Sequence, residues 1–241
     1  MSKIYGRKSE YLVTKEKKHT KQSYILVLGV FILVILDIIF LFNKKYLVES
    51  LAFIISVVLL VLIYTLGSRG EKEQRISDNF YYGSKAESFI LYKLSKLSNE
   101  YLVFQDVKIP DKRGNIDFVV LGPTGIFTIE VKSHGGKIDF DGKKLVRLKF
   151  PLHRDFLKQA LSEALLLHDY IKNKSGEDVF VQSVLVFSSQ HAKLNFNARL
   201  VNNVCILLGS NIISFLVNQP RILSSEKISQ LEDLLGELVS K

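Results

Sequence analysis

Two carboxylates and a lysine in the middle of the chain have the types and spacing needed to cleave a phosphate ester. Asp117 closes the run Asn115-Ile116-Asp117, and thirteen residues after it the chain reads Glu130-Val131-Lys132. Carboxylate oxygens are hard ligands of the kind Mg²⁺ prefers. A lysine beside them could hold an attacking water or offset charge on the phosphate. These residues therefore predict metal-assisted hydrolysis as a candidate chemistry.

The alternation of side chains predicts that a β-hairpin positions these groups. Gly122-Pro123-Thr124-Gly125 has the residue types of a turn and separates two strand-like runs. If the hairpin closes symmetrically, Leu121 pairs with Ile126, and Asp117 then lies opposite Glu130 with Cβ atoms roughly 4.5 to 5.5 Å apart. A slip of one residue would instead move Asp117 to the other face of the sheet.

A solvated strand face is the competing interpretation of the same residues. Acids and lysines are common there, and the pattern Glu-x-Lys occurs by chance in many chains. The apolar neighbours Val119, Leu121 and Ile126 indicate instead that the acidic face is at least half buried, where an unpaired charge is costly. Gly135 and Gly136 follow directly and would allow close approach of backbone or ligand.

Taken together, these segments resemble the nuclease-related domain (NERD) of the PD-(D/E)xK nuclease superfamily. The resemblance is carried by Gly83 to Glu87, Ile116-Asp117, Gly125 to Lys132 and Gln159, and covers about residues 80 to 190. It implies an α/β fold with an αβββαβ core, a PD-(D/E)xK nuclease-like mixed sheet flanked by helices. One departure is Ile116, which stands where the pattern has proline.

The resemblance also implies a role for each matched residue. Asp117 and Glu130 would be metal ligands, Lys132 the catalytic lysine, Glu87 an acid carried by the first helix and Gln159 the glutamine of the second helix. We expect the metal to be Mg²⁺ or Mn²⁺, with the carbonyl oxygen of Val131 as a further ligand.

Glu87 and Gln159 are weaker candidates when judged from their own surroundings. Glu87 lies on or beside the apolar stripe of a helix predicted from about Gly83 to Ser98, but an acid is favoured near a helix N-terminus in any case. Gln159 flanks a mostly apolar helix predicted from near Asp155 to near Asn173, where a surface glutamine is the simpler interpretation.

Two apolar stretches near the start of the chain predict a transmembrane hairpin. Tyr24 to Phe42 and Tyr46 to Leu66 are each about 20 residues long, enough to cross roughly 30 Å of hydrocarbon as a helix, and only three residues separate them. The predicted organisation is a basic cytoplasmic tail at residues 1–23, the hairpin at 24–66, a linker at 67–79 and the nuclease-like domain at 80–241.

The distribution of charge predicts the orientation of this hairpin. The tail has seven basic and two acidic residues, a net of +5 out of the formal +9 of the whole chain. The positive-inside rule therefore places both termini in the cytoplasm. Cys205 is the single cysteine and lies in an apolar run, as expected for a buried strand residue of a reduced compartment.

Basic residues that cluster around the proposed site could contact nucleic-acid backbone, although a solvated hairpin face is an equal alternative. They are Lys132, Lys137, Lys143, Lys144, Arg147, Lys149, Arg154 and Lys158. The sequence has no short His/Cys zinc spacing, no Walker-type phosphate loop and no Gly-x-Ser-x-Gly elbow.

We therefore expect a membrane-anchored, cytoplasm-facing, metal-dependent nuclease. Its expected partners are nucleic acid, with DNA placed before RNA, and a lipid bilayer. The alternative is a nuclease-like module that binds nucleic acid or a protein at the membrane without cutting. A membrane scaffold with an incidental acidic hairpin is a third possibility. The sequence leaves the oligomeric state open.

Overall fold

A computed structural model describes residues 1–5, 78, 80–112, 114–147, 150–152, 154–196 and 200–239. The chain divides into two compact units, one formed by residues 1–9 with 85–241 and the other by residues 10–84. The predicted transmembrane hairpin at 24–66 lies outside the described residues. Within the described ranges, no helix is both long and apolar enough to cross a membrane.

The described residues form eleven strands and four α-helices. The strands are β1 (Lys3–Tyr5), β2 (Leu102–Val107), β3 (Ile116–Gly122), β4 (Gly125–Lys132), β5 (Gly136–Phe140), β6 (Leu145–Arg147), β7 (Phe150–Pro151), β8 (Val181–Phe187), β9 (Ala192–Leu194), β10 (Leu200–Val201) and β11 (Val204–Leu208). The helices are α1 (80–94), α2 (Phe156–Ser175), α3 (Ile212–Val217) and α4 (Ser225–Gly236).

A mixed seven-stranded sheet forms the centre of the larger unit, in the order β1-β2-β3-β4-β8-β11-β10. Strands β2, β3 and β4 are antiparallel, whereas β8 is parallel to both β4 and β11. A parallel pair needs a long crossover connection, and α2 supplies it between β4 and β8. The prediction of a mixed sheet flanked by helices is confirmed.

The hairpin of β3 and β4 has the register that the sequence predicts. Leu121 pairs with Ile126, and Phe118 pairs with Ile129. At the turn, the ring of Tyr101 packs so closely over Gly122 that a Cβ atom there would lie 2.3 Å from Tyr101 Cδ1. The hydroxyl of Tyr101 also lies 3.2 Å from that of Thr124, which fixes the turn against the preceding loop.

Helices cover both faces of the sheet. Buried residues of α1 and α3 pack on one face, and buried residues of α2 and α4 pack on the other. Val119, Leu121 and Ile126 all lie in the core on the α2 side. Because side chains alternate along a strand, Asp117 and Glu130 belong to this same α2-facing side of β3 and β4. The neighbours of the acidic pair are therefore buried, as predicted.

Strand β1 is an element that the sequence analysis did not predict, since it assigned these residues to the cytoplasmic tail. Lys3, Ile4 and Tyr5 pair in parallel with Leu102, Val103 and Phe104 at the edge of the sheet. The ring of Tyr5 stacks on Phe104 with centroids 4.9 Å apart. Ser2 donates a hydrogen bond to the carbonyl oxygen of Leu94 in α1.

A second, smaller sheet has the order β7-β6-β5-β9. A turn at Asp141-Gly142 leads into β6, and Oδ1 of Asp141 accepts hydrogen bonds from the backbone N–H groups of Lys143 and Lys144 at 2.9 Å each. Ile138 and Leu145 join this sheet to the first turns of α2. Cys205 is buried in β11, as predicted.

Candidate active site

Strands β3 and β4 place three of the predicted residues together at one end of the hairpin. Oδ2 of Asp117 accepts a hydrogen bond of 2.8 Å from the backbone N–H of Val131. Glu130 is only 3% exposed, and its Oε1 accepts a hydrogen bond from Nζ of Lys132. The two carboxylates and the lysine therefore share the α2-facing side of the sheet, and we call them the strand wall.

Burial and acidic neighbours together raise the pKa of the Asp117 carboxyl group well above its usual range. Burial is the largest cause, because it disfavours the charged form, and the negative charges of Glu130 and Glu87 follow. The hydrogen bond from Val131 and the charge of Lys132 act in the opposite direction. Glu87 on α1 thus lies within electrostatic reach of the pair, and the carboxylates repel one another unless a positive charge joins them.

Helix α2 supplies the opposite side of the site. Its N-cap is Asp155, whose side chain accepts a 3.0 Å hydrogen bond from the N–H of Lys158. Its apolar stripe packs on the sheets, which leaves Gln159 and Glu163 at the edge of the stripe, one turn apart; the stripe consists of Phe156, Leu157, Ala160, Ala164, Leu167 and Ile171. We call Gln159 and Glu163 the helix wall.

The amide of Gln159 connects the two walls. Its Nε2 donates to Oε1 of Glu130 at 2.7 Å and to Oε1 of Glu163 at 3.0 Å. Its Oε1 accepts from Nζ of Lys132 at 3.3 Å. Gln159 is therefore a bridging group of the site, and the simpler interpretation of it as an ordinary surface glutamine is wrong.

An aromatic ring at the start of α2 holds Lys132 in place. The ammonium group of Lys132 lies 4.7 Å from the centroid of the Phe156 ring, which favours a cation electrostatically. The ring of His134 packs edge-on against Phe156 at 5.1 Å. Burial, followed by the charges of Arg147 and Lys132, lowers the pKa of His134, which favours its neutral form.

Glu163 is a site residue that the sequence analysis missed. Burial and the neighbouring charge of Glu130 raise its pKa to about 8. Its position four residues after Gln159 puts both side chains on the same side of α2. That spacing was available in the sequence, but it becomes informative only when Gln159 is known to face Glu130.

The donor set of the site fits a divalent cation only in part. Among the described residues, no group of three or more His, Cys, Asp or Glu side chains has an arrangement that could hold a metal ion. However, Oε2 of Glu130 and Oε2 of Glu163 are buried without a hydrogen-bond partner, and buried carboxylate oxygens require compensation. The N–H of Val131 contacts Asp117; a role for its carbonyl oxygen stays a prediction.

A cavity of about 230 Å³ adjoins the helix wall. Gln159 and Glu163 line one side of it, and Lys112 and Asn115 from the loop between β2 and β3 line another.

Exposed basic side chains lie on the second sheet and at the start of α2. Those on the second sheet are Lys137, Lys143, Lys144, Arg147 and Lys193, and those at the start of α2 are Arg154 and Lys158. Lys149 lies outside the described residues.

Comparison with protein-family models matches residues 82–188 to the nuclease-related domain (NERD). The matched segment is 107 of the 241 residues and contains every residue of both walls as well as Glu87. Neither a search of curated proteins nor a search of solved structures found a match.

Proposed function

Starting from the nuclease-related domain at residues 82–188, we propose that the chain is a membrane-anchored, cytoplasm-facing nuclease that hydrolyses phosphodiester bonds with Mg²⁺ or Mn²⁺. The observation that carries this proposal is the network joining Glu130, Lys132 and Gln159 beside Asp117. Glu130 is buried, Asp117, Lys132 and Gln159 are partly buried, and two carboxylate oxygens of the cluster have no hydrogen-bond partner among the described residues.

Each side chain of the strand wall has a part in the proposed reaction. A divalent cation held by Asp117 and Glu130 would polarise the phosphate and lower the pKa of a bound water. Lys132, held between Glu130 and Gln159, orients the attacking water or offsets negative charge that develops on the phosphate. The water oxygen forms a bond to phosphorus as the bond to the leaving oxygen breaks, and the leaving oxygen acquires a proton.

The exposed basic residues around the small sheet support nucleic acid as the substrate. Lys137 of β5 lies directly beside Lys193 of β9 in the parallel pairing of the two strands. Both are exposed, as is Arg147 on the adjacent strand β6. Lysines and arginines placed in this way contact phosphates without reading bases. We therefore propose binding of the nucleic-acid backbone across this sheet, with DNA as the first substrate to test.

The pairing of β1 with β2 supports the hairpin form of the proposed membrane anchor. Residues 3–5 and 102–104 belong to one sheet, so they lie on the same side of any bilayer. An even number of spans between them satisfies this condition, and two apolar stretches of about 20 residues are present at 24–66.

The experiment that tests the proposed activity is cleavage of labelled single- and double-stranded DNA and RNA by the full chain in detergent. Mg²⁺, Mn²⁺ and EDTA are compared for the wild type and for Asp117→Asn, which keeps an acceptor for the Val131 N–H but removes the charge. Asp169→Asn is the matched control, because Asp169 is an exposed acid on α2.

Cleavage that requires metal and is lost in Asp117→Asn alone is the expected result. Cleavage that persists in EDTA, or in Asp117→Asn, would contradict the proposal. Tight, salt-sensitive binding with no cleavage under any condition would also contradict it and would favour the non-cutting module.

A further inference from the structure

Glu163 and Glu130 form a pair of carboxylates held by a single amide. Nε2 of Gln159 donates to Oε1 of both, at 3.0 and 2.7 Å. One NH₂ group can reach two acceptors only if these lie close together, so the two carboxyl groups are neighbours across the gap between β4 and α2. The resemblance to the nuclease-related domain implies no role for Glu163.

The negative charges and the hydrogen-bond acceptors of this pair are only partly compensated. Oε2 of each residue is buried without a hydrogen-bond partner among the described residues, and Glu130 is 97% removed from solvent. Lys132 is bonded to Glu130, but Glu163 has no ion pair within the part of the chain that the structure describes. Burying a carboxylate without a compensating charge is costly, so a positive ligand has to join these groups when both are ionised.

Space for such a ligand exists next to Glu163. The cavity of about 230 Å³ is lined by Gln159 and Glu163 and is open to the loop that carries Lys112 and Asn115. Mg²⁺ and Mn²⁺ keep several water ligands in addition to one or two carboxylates. A cavity of this size beside Glu163 can hold those waters or a phosphate oxygen.

We propose that Glu163 is a metal-binding residue of this site, and that Glu163 and Glu130 together bind a divalent cation on the α2 side of the strand wall. This inference rests on the proposed function for its setting, and extends it by adding a carboxylate from α2 as a second ligand beside Glu130.

The test is Mn²⁺ binding to the full chain in detergent, measured by isothermal titration calorimetry and by the electron paramagnetic resonance signal of free Mn²⁺. Glu163→Gln keeps the size of the side chain and an oxygen acceptor for Gln159, but removes the charge. Glu163→Asp keeps the charge, and Asp169→Asn on the same helix controls for general loss of acidity. Thermal melts verify that each variant is folded.

We expect Glu163→Gln to weaken Mn²⁺ binding by about tenfold or more, or to remove one bound equivalent per chain. Glu163→Asp should retain part of the affinity, and Asp169→Asn should equal the wild type. Wild-type stoichiometry and affinity in Glu163→Gln would overturn the inference, and so would equal loss in Asp169→Asn.

The same samples separate this inference from the proposed function. If the wild type binds Mn²⁺ through Glu163 but cuts no nucleic acid, the inference stands and the nuclease proposal fails. If the wild type cuts nucleic acid while Glu163→Gln binds Mn²⁺ normally, the nuclease proposal stands and the inference fails.

Discussion

The strand wall and the helix wall meet at Glu130, but they satisfy their charges in different ways. In the strand wall, Asp117 accepts from Val131, fourteen residues away, and Lys132 donates to Glu130, two residues away. In the helix wall, Glu163 depends on the amide of Gln159, which reaches Glu130 across a separation of 29 residues. One wall is organised within a single hairpin, whereas the other exists only after α2 has packed on the sheet.

This difference gives the two walls different expected importance. The strand wall contains Lys132, whose ammonium group is bonded to the buried Glu130, so its loss removes the positive charge that offsets this carboxylate. The helix wall acts mainly by positioning Lys132 and Glu130, to which Gln159 is hydrogen-bonded. Substitutions in the strand wall should therefore affect chemistry most, and those in the helix wall should affect positioning and charge balance.

The largest effect is expected for Lys132→Ala. Removing a positive group that offsets transition-state charge should lower kcat on the order of 10²- to 10³-fold. Single-turnover cleavage with saturating Mg²⁺ measures this step directly. The control is Lys174→Ala, an exposed lysine on the last turn of α2. If Lys132→Ala cut as fast as the control, Lys132 would have no part in catalysis.

Gln159→Ala should have a smaller effect. The substitution frees Lys132 and Glu130 from one shared partner but leaves both charges in place, so a loss of about 10- to 100-fold is expected. The loss should appear in kcat more than in KM, and Gln159→Glu should not restore activity, since it lacks the N–H donors. A change confined to KM would indicate that Gln159 binds substrate instead.

Gly122→Ala tests the strand wall from its far end. A Cβ atom at this position would overlap the buried ring of Tyr101, whose hydroxyl is tied to Thr124. We expect a loss of about 1 to 3 kcal/mol in the free energy of unfolding, measured by chemical denaturation. Gly83→Ala, where a Cβ would meet nothing within 4 Å, is the matched control. Equal stability of the two variants would mean that the Tyr101 ring is free to move.

The most gradual expected effect is the dependence of the free energy of unfolding on pH in the absence of metal, because it is spread over several pH units. The pKa of Glu163 is about 8 in the folded protein against 4.5 for an ordinary glutamate, so its contribution is fully present below about pH 4.5 and is lost as pH rises to about 8. One such group gives a slope of at most about 1.4 kcal/mol per pH unit.

Comparison with Glu163→Gln isolates this contribution, because other ionisable groups titrate equally in both proteins. Denaturation between pH 5 and 8 in EDTA should show stability falling more steeply in the wild type than in the variant. Identical slopes would show that Glu163 is not held in its neutral form. Asp117, whose pKa is also raised, should add a slope of the same sign that both proteins retain.

The same contrast between the walls explains how much of the site could be predicted from the sequence. Asp117, Glu130 and Lys132 are fixed by strand alternation and by a turn of defined length, and both are local properties. The register Leu121 to Ile126 follows from them and is confirmed. To assign Glu163 to the site, one has to know which side of α2 faces β4. That orientation depends on packing between segments that are distant in the sequence.

Prediction of the fold from the sequence is limited in a similar way at the edge of the large sheet. The hairpin of β3 and β4 and the helix α2 follow from the alternation and spacing of apolar residues, and the predicted positions of the turn and of α2 agree with the structure to within a few residues. Strand β1 has only three residues, two of them polar or aromatic, and lies in a basic segment. Nothing in its own composition indicates a strand, because its pairing is determined by the exposed edge of β2 and by the ring of Phe104.

Strand β1 also constrains the order in which the sheet is assembled. Residues 3–5 are synthesised before any other strand, yet their partners at 102–104 follow about 100 residues later. At a translation rate of roughly 5 to 20 residues per second, this is a delay of about 5 to 20 s. The first described strand to be made therefore waits for a partner synthesised about 100 residues later, and their pairing brings the two ends of residues 6–101 to the same sheet.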